Sequence, residues 1–288
     1  MRQSAAGELR VGQKPGRTER IAELVGRLLA TKPPNRNTAE TLRGVLGFAR
    51  AQCFGRCGAI ALHYLADIVS GRTTRVEEEG ADLLRFWPTY VAEAKPRTIS
   101  TRDTRRPVVI FTDGAEEGAG TNTSVGVGAV MIDPERTDTR DLLGQHPHKK
   151  LKKNGAEGRE TFGGLVPPSV VEAWRRERGT TKVIHQAELY PALLALRQWG
   201  GTLEGRRLIL FVDNEPARAA LVKGTTTAAA SARIVNDFWA LAARLSIYLW
   251  VERVASKSNP ADDPSRNEWA WLKAKGFVVR VCRELDGF

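Results

Sequence analysis

The sequence predicts an α/β fold, a mixed β-sheet flanked by helices, with a helical segment in front of it. Three observations carry this expectation. Short β-branched runs such as 108–112 (VVIFT) and 208–212 (LILFV) have the length and composition of buried strands. They alternate with longer stretches of helical periodicity, among them 185–199 (HQAELYPALLALRQW) and 231–245. Before residue 106 only helical patterns stand out, so the strand-bearing part begins after a third of the chain.

The elements follow in order. Residues 18–29 (TERIAELVGRLL) place Ile21, Leu24, Val25 and Leu28 on one helical face, and Pro33-Pro34 stops that helix. Asn37 or Thr38 is expected to cap a second helix with Leu42, Val45, Leu46 and Ala49 as its buried stripe. A third apolar stretch, 58–69, ends before Gly71. Arg43, Arg50, Arg56 and Arg72 punctuate these helices, either as solvated faces or as a surface along a phosphate backbone. The basic, proline-containing stretch 95–107 reads as an exposed linker. A boundary is placed near residue 105, with a helical segment over 1–105 and an α/β domain over 106–288.

Within that domain, 108–112 reads as a buried strand ending in an Asp113-Gly114 turn. Residues 124–132 (SVGVGAVMI) suit the next strand, and the polar stretch 133–160 reads as a long loop carrying a 149–153 (KKLKK) cluster. A short strand is expected over 159–165, followed by a helix with Val170, Val171 and Trp174 after Pro167-Pro168. The helix over 185–199 is expected to bury Leu189, Leu193 and Leu196 on one side. A strand over 208–212 ends at Asp213-Asn214, and a final helix and strand cover 231–245 and 247–254.

Charge narrows the partners. The chain has 288 residues, a formal net charge of +11 and a pI near 9.9, which favours a polyanion such as nucleic acid. The excess is concentrated early, with 19 Lys and Arg against 11 Asp and Glu in residues 1–106, and 25 against 22 afterwards. No apolar run approaches the roughly 18 residues that span a bilayer, and the first residues lack the apolar core of a secretion signal. Three cysteines, Cys53, Cys57 and Cys282, are too few and too odd for a disulfide framework. These features predict an intracellular protein, cytoplasmic or nuclear, with no membrane partner.

Several chemistries are set aside. Cys53, Cys57 and His63 fall on an apolar helix and read as core, and His146 and His148 sit in a polar loop. Trp87, Trp174, Trp199, Trp239 and Trp250 occupy positions suited to packing more than to base stacking. Neither a nucleophile elbow nor a phosphate-binding glycine loop occurs.

Four carboxylates occupy comparable places. Asp113 and Asp213 each follow a strand, Glu188 lies one turn into a helix, and Asp262 sits in the polar run 258–266 (SNPADDPSR), which starts another helix. Each alone has a simpler explanation as a turn residue, a helix-dipole partner or a cap. Together, at neighbouring strand ends, they repel by several kcal/mol at about 4 Å unless cations neutralise them. Hard divalent ions take oxygen ligands, and two of them about 3.5–4 Å apart promote phosphodiester cleavage.

The order strand-Asp, helix-Glu, strand-Asp, loop-Asp resembles the ribonuclease H domain of retroelement reverse transcriptases. The segments that carry the resemblance are VVIFTDGA, HQAELYPALLAL, LILFVDNEPA and SNPADDPSR, over roughly residues 107–270. The helical segment, through ETLRGVLGFARAQCFGRCG, looks like the thumb or connection region of the same polyproteins. No Tyr-x-Asp-Asp polymerase motif occurs, so the resemblance implies no DNA synthesis by this chain. It implies a ribonuclease H-like sheet, two Mg²⁺ ions with Mn²⁺ as a substitute, and an RNA–DNA hybrid as substrate. It further implies that Asp113 bridges the ions and that Glu188 and Asp213 hold the one near the leaving group. Asp262, with Asp263 as its neighbouring alternative, would hold the ion that activates water. The loop before Asp262 lacks the histidine that helps product leave in many cellular ribonucleases H, which implies either slow turnover or partial substitution by Lys257. The alternatives are an inactive retroelement-derived nucleic-acid binder, or another nuclease of this fold such as an integrase-like strand transferase or a proofreading exonuclease. The exonuclease pattern wants Asp-x-Glu, whereas Gly114 and Ala115 follow Asp113.

Overall fold

The computed structural model describes residues 2–3, 8–53, 56–100, 103–118, 124–137, 158–178, 182–226 and 229–285. The chain divides into two units, residues 1–103 with 239–246, and residues 104–238 with 247–288.

The first unit is built on four helices, α1 (Arg17–Ala30), α2 (Arg36–Gln52), α3 (Ala59–Ser70) and α4 (Glu78–Glu93). Their apolar stripes meet in one core that includes Ile21, Leu24, Val25, Leu28, Leu42, Leu46, Leu65, Leu84 and Trp87. The first helix buries the face its periodicity predicts. The second starts earlier than expected: Asn35 is its cap, accepting from the backbone N–H of Thr38, so Asn37 and Thr38 already lie inside the helix. Cys53 and Cys57 are buried in the core as expected, but His63, read as core with them, is exposed on the outer side of its helix turn. Two features depart from the sequence reading. Helix α4 was masked by Gly80 and Pro88, which interrupt its helical pattern. The stretch read as a linker carries a strand, which completes a small antiparallel sheet of β1 (Arg2–Gln3), β2 (Glu8–Val11) and β3 (Arg97–Ser100).

The second unit is a mixed sheet flanked by helices, the architecture the sequence predicts. Its strands are β4 (Val108–Glu117), β5 (Ser124–Ile132), β6 (Arg159–Leu165), β7 (Arg207–Val212), β8 (Tyr248–Arg253) and β9 (Val278–Val279), in the order β8-β7-β4-β5-β6-β9. Strands β4, β5 and β6 run antiparallel in sequence, and β7 and β8 then add in parallel on the other side of β4. The helices are α5 (Pro168–Arg178), α6 (Ile184–Leu203), α7 (Glu215–Lys223), α8 (Ala229–Arg244), the short α9 (Asp262–Ser265) and α10 (Ala270–Ala274). Residues 239–244 of α8 belong to the first unit by the division above.

Helix α6 packs on β4 and β5. It is buried around nearly its whole circumference from Gln186 to Leu196, not on one leucine side, because Trp174 of α5 packs edge-on against Tyr190 and Phe162 of β6 against Trp199. The opposite face of the sheet carries a second cluster, Val130 with Ala261, Leu272 and Phe277, bordered by Phe111 and Ile132. Phe111 stacks on Phe211 across the parallel pair at 4.9 Å. Trp250, expected to pack, is 64% exposed on the edge strand β8. The cluster 149–153, together with His146 and His148, lies outside the described residues. Among the described residues no helix is long and apolar enough to cross a membrane.

One buried ion pair ties β5 to the start of β7. Arg206 reaches both carboxylate oxygens of the fully buried Asp133 at 3.0 and 3.3 Å and also donates to the Arg106 carbonyl. A buried carboxylate stripped of its cation is costly. Arg206→Met is therefore expected to lower stability by about 3–5 kcal/mol, read as a shift in the urea midpoint.

Candidate metal centre

Strand β4 does not end where the sequence suggests. It continues through Asp113 and Gly114 to Glu117, paired throughout with β5. Only its parallel ladder with β7 stops there, at Thr112 opposite Val212. The next residues of the two strands, Asp113 and Asp213, are thereby brought side by side at the carboxyl end of β7. The Asp-Gly pair is thus no turn. Gly114 is there because a Cβ at that position would lie 2.3 Å from the Ala187 carbonyl oxygen and 2.7 Å from the Glu188 nitrogen. Its missing side chain lets α6 come down onto the strand, and that approach delivers Glu188 to the two aspartates.

Carboxylate oxygens of Asp113, Glu188 and Asp213 all lie within 4.8 Å of one another. Asp113 is 4% exposed and Glu188 9%, so two of the three are largely out of water. Burial, reinforced by the charges of Asp213 and Asp262, pushes the Asp113 carboxyl up to about 6 against a hydrogen bond from Ser265. Burial, then the neighbouring Asp113 and Asp213, pushes Glu188 up to about 8, opposed by Asn214 and by the Gly114 backbone N–H. Asn214 serves twice: its amide nitrogen lies 3.4 Å from Glu188 Oε1, and its oxygen accepts from the Ala217 N–H to cap α7.

Asp262, the fourth expected acid, does not belong to the group within 4.8 Å. It opens α9, half-exposed, and its Oδ1 accepts from Arg266 Nε at 3.1 Å. The other end of the same guanidinium reaches Glu117 at 3.3 Å. Asp262 thus contributes charge to the site while being partly neutralised by its own cation. Asp263 is half-buried, and its backbone carbonyl accepts from the N–H groups of Arg266 and Glu268.

Two further residues, Asn259 and Ser265, touch Asp113 and had no role in the sequence reading. Asn259 Nδ2 donates to the Thr112 carbonyl at 3.1 Å and lies 3.4 Å from Asp113 Oδ1. Ser265 Oγ lies 2.6 Å from Asp113 Oδ2. The signal for them was the run 259–266 (NPADDPSR), in which both flank Asp262.

The donor set suits a hard divalent cation: three carboxylates, no sulfur or imidazole among them. One oxygen of Asp213, Oδ1, is buried without a hydrogen-bond partner, which costs free energy unless a ligand satisfies it. These observations fit a cation held by Asp113, Glu188 and Asp213.

No protein-family model matches the chain, and no curated protein matches its sequence. Solved structures similar to it include the RNase H1 of the halophilic archaeon Halobacterium salinarum NRC-1, 17% identical, with a TM-score of 0.35 over 55% of this chain and 94% of the other. Another is the N-terminal RNase H domain of a Mycobacterium tuberculosis protein, solved as a fusion with maltose-binding protein. It is 14% identical, with a TM-score of 0.39 over 58% and 96% of the two chains.

The raised carboxyls have a consequence for stability. Between about pH 4.5 and 8 the folded protein holds protons that the unfolded chain has released, so without metal its stability falls as pH rises through that window. Glu188→Gln removes the largest part of this effect. In chelator at pH 8 the variant is expected to be more stable than wild type by on the order of 2 kcal/mol, with the difference vanishing near pH 4. Thermal melting of both proteins across that range checks it.

Proposed function

We propose that the chain is an Mg²⁺-dependent endonuclease of the ribonuclease H type, hydrolysing the RNA strand of RNA–DNA hybrids, with Mn²⁺ as a substitute cofactor. The observation that carries this reading is the convergence of Asp113, Glu188 and Asp213 around an Asp213 oxygen that has no partner. Asp113, Glu188 and Asp213, with Asp262 beside them, would hold the metal. When bound, paired Mg²⁺ ions supply activation of a water and stabilisation of the leaving oxygen.

The protein's own residues prepare that site. Burial leaves Asp113 and Glu188 short of compensating charge, so the pocket favours cations over water. Both carboxyls give up their protons as a cation takes their place, which makes metal affinity rise with pH. On the resemblance, Glu188 would also lie close to a ribose 2′-hydroxyl, the group that separates RNA from DNA. The net charge of +11 draws in a polyanionic substrate without regard to sequence. On the resemblance of its four motif segments, we place the chain in the C-terminal part of a retroelement reverse transcriptase acting in the cytoplasm or nucleus. The helical unit then stands where a thumb or connection region precedes the nuclease.

Asp213→Asn leaves the strand ends in place but removes a charge from the metal centre. Cleavage of a labelled RNA–DNA hybrid in Mg²⁺ is expected to fall to background, while binding of the same hybrid in Ca²⁺ stays within a few-fold of wild type. A variant that still cuts would overturn the assignment. Running duplex DNA and single strands beside the hybrid separates a ribonuclease H from a strand transferase or exonuclease of the same fold.

A further inference from the structure

The polar residues that grip Asp113 lie on a segment the sheet is shaped to receive. A Cβ at Gly128 would lie 2.5 Å from the Ser265 nitrogen and 2.7 Å from the Ala261 carbonyl oxygen. At Gly126 it would lie 2.0 Å from the Ser265 carbonyl oxygen, and at Gly163 2.2 Å from that of Pro264. Gly128 is the direct register partner of both Asp113 and Gly163, so a side-chain-free lane runs across β5 and β6 away from the aspartate. The backbone of 261–265 lies in that lane. This contact sets Ser265, 3% exposed, and Asn259, 6% exposed, against the two oxygens of Asp113.

Both side chains are themselves fixed. Asn259 Oδ1 accepts from the Ala261 N–H at 3.2 Å, which orients its amide so that Nδ2 faces Thr112 and Asp113. The Ser265 hydroxyl has two acceptors in reach, Asp113 Oδ2 at 2.6 Å and the Asp262 carbonyl at 2.8 Å. An ionised carboxylate is the stronger acceptor and takes the single proton. A carboxylate gripped at both oxygens cannot swing about its side-chain torsions, so a cation meets it already oriented.

We infer that Ser265 and Asn259 are positioning residues that clamp the Asp113 carboxylate from the 259–265 segment and thereby set the divalent-cation affinity of the centre. The inference deepens the proposed function and rests on its metal site, not on hybrid cleavage. Groups that orient a metal-binding carboxylate are typically worth about 10–100-fold in metal affinity.

The test titrates the full chain with Mn²⁺ alone, following free Mn²⁺ by electron paramagnetic resonance, beside melting in chelator. Ser265→Ala is expected to raise the Mn²⁺ dissociation constant about ten-fold or more, and to raise the Mg²⁺ concentration for half-maximal hybrid cleavage by a similar factor. Asn259→Ala is expected to act in the same direction. Ser265→Cys, which puts a larger group and a weaker donor in place of the hydroxyl, should fall between wild type and alanine in Mn²⁺ affinity, while melting in chelator reads any loss of packing separately. It also serves if the alanine variant fails to fold. Wild-type Mn²⁺ affinity in a folded Ser265→Ala or Ser265→Cys protein overturns the inference, as does a wild-type protein that binds no Mn²⁺. If wild type binds Mn²⁺ and Ser265→Ala weakens it but no hybrid is cut, the nuclease reading fails and the clamp stands. If hybrid is cut and the variants bind Mn²⁺ normally, the clamp fails and the nuclease reading stands.

Discussion

Three acidic side chains held within 4.8 Å, two of them almost out of water, repel one another. At an effective dielectric near 20, each pair of full charges at about 4 Å costs roughly 4 kcal/mol. The protein answers in two ways. Asp113 and Glu188 keep their protons to higher pH than ordinary carboxyls, and fixed donors face them: Ser265 and Asn259 on one side, Asn214 and the Gly114 N–H on the other. Neither measure satisfies Asp213 Oδ1, so the site is left with a residual demand for positive charge.

The scaffold that enforces this crowding is made of absences. Gly114 has no side chain, so α6 can set Glu188 on one face of β4. Gly126, Gly128 and Gly163 have none, so the backbone of 261–265 can lie on the other. Asp113 sits between the two approaches, in a strand that is paired on both sides up to the residue before it. Elsewhere the sheet is filled conventionally, by the Phe111–Phe211 stack and the cluster around Val130, and these hold the strands in register. Substitutions at the four glycines would act on the acids without touching them.

Most of the elements were legible because their signals are local. The strands 108–112 and 208–212 and the helix after Pro167 announce themselves through β-branched runs and periodicity. The candidate acids were legible too, because each follows a strand or opens a helix. What stayed hidden is non-local. Asp113-Gly114 reads as a turn to any short window, and the reason for the glycine lies in a helix far along the chain. The glycines of 124–132 look like mere small residues until the segment that covers them is seen. Helix α6 is rich in Ala and Leu on every side, so its sequence did not tell one buried face from burial all round. Asp262 pairs instead with Arg266, four residues later, and no spacing rule foretells which partner a half-exposed carboxylate will choose.

The bond between Ser265 and Asp113 closes a span of 152 residues. Closing so long a loop is entropically expensive and tends to come late, after the hairpin of β4 and β5 and the local helices have formed. A partly folded chain can therefore own all of its acidic residues and much of its sheet while its first aspartate is still ungripped. Maturation of the centre is then governed by the final docking step, and its integrity reports on whether the whole second unit has finished assembling.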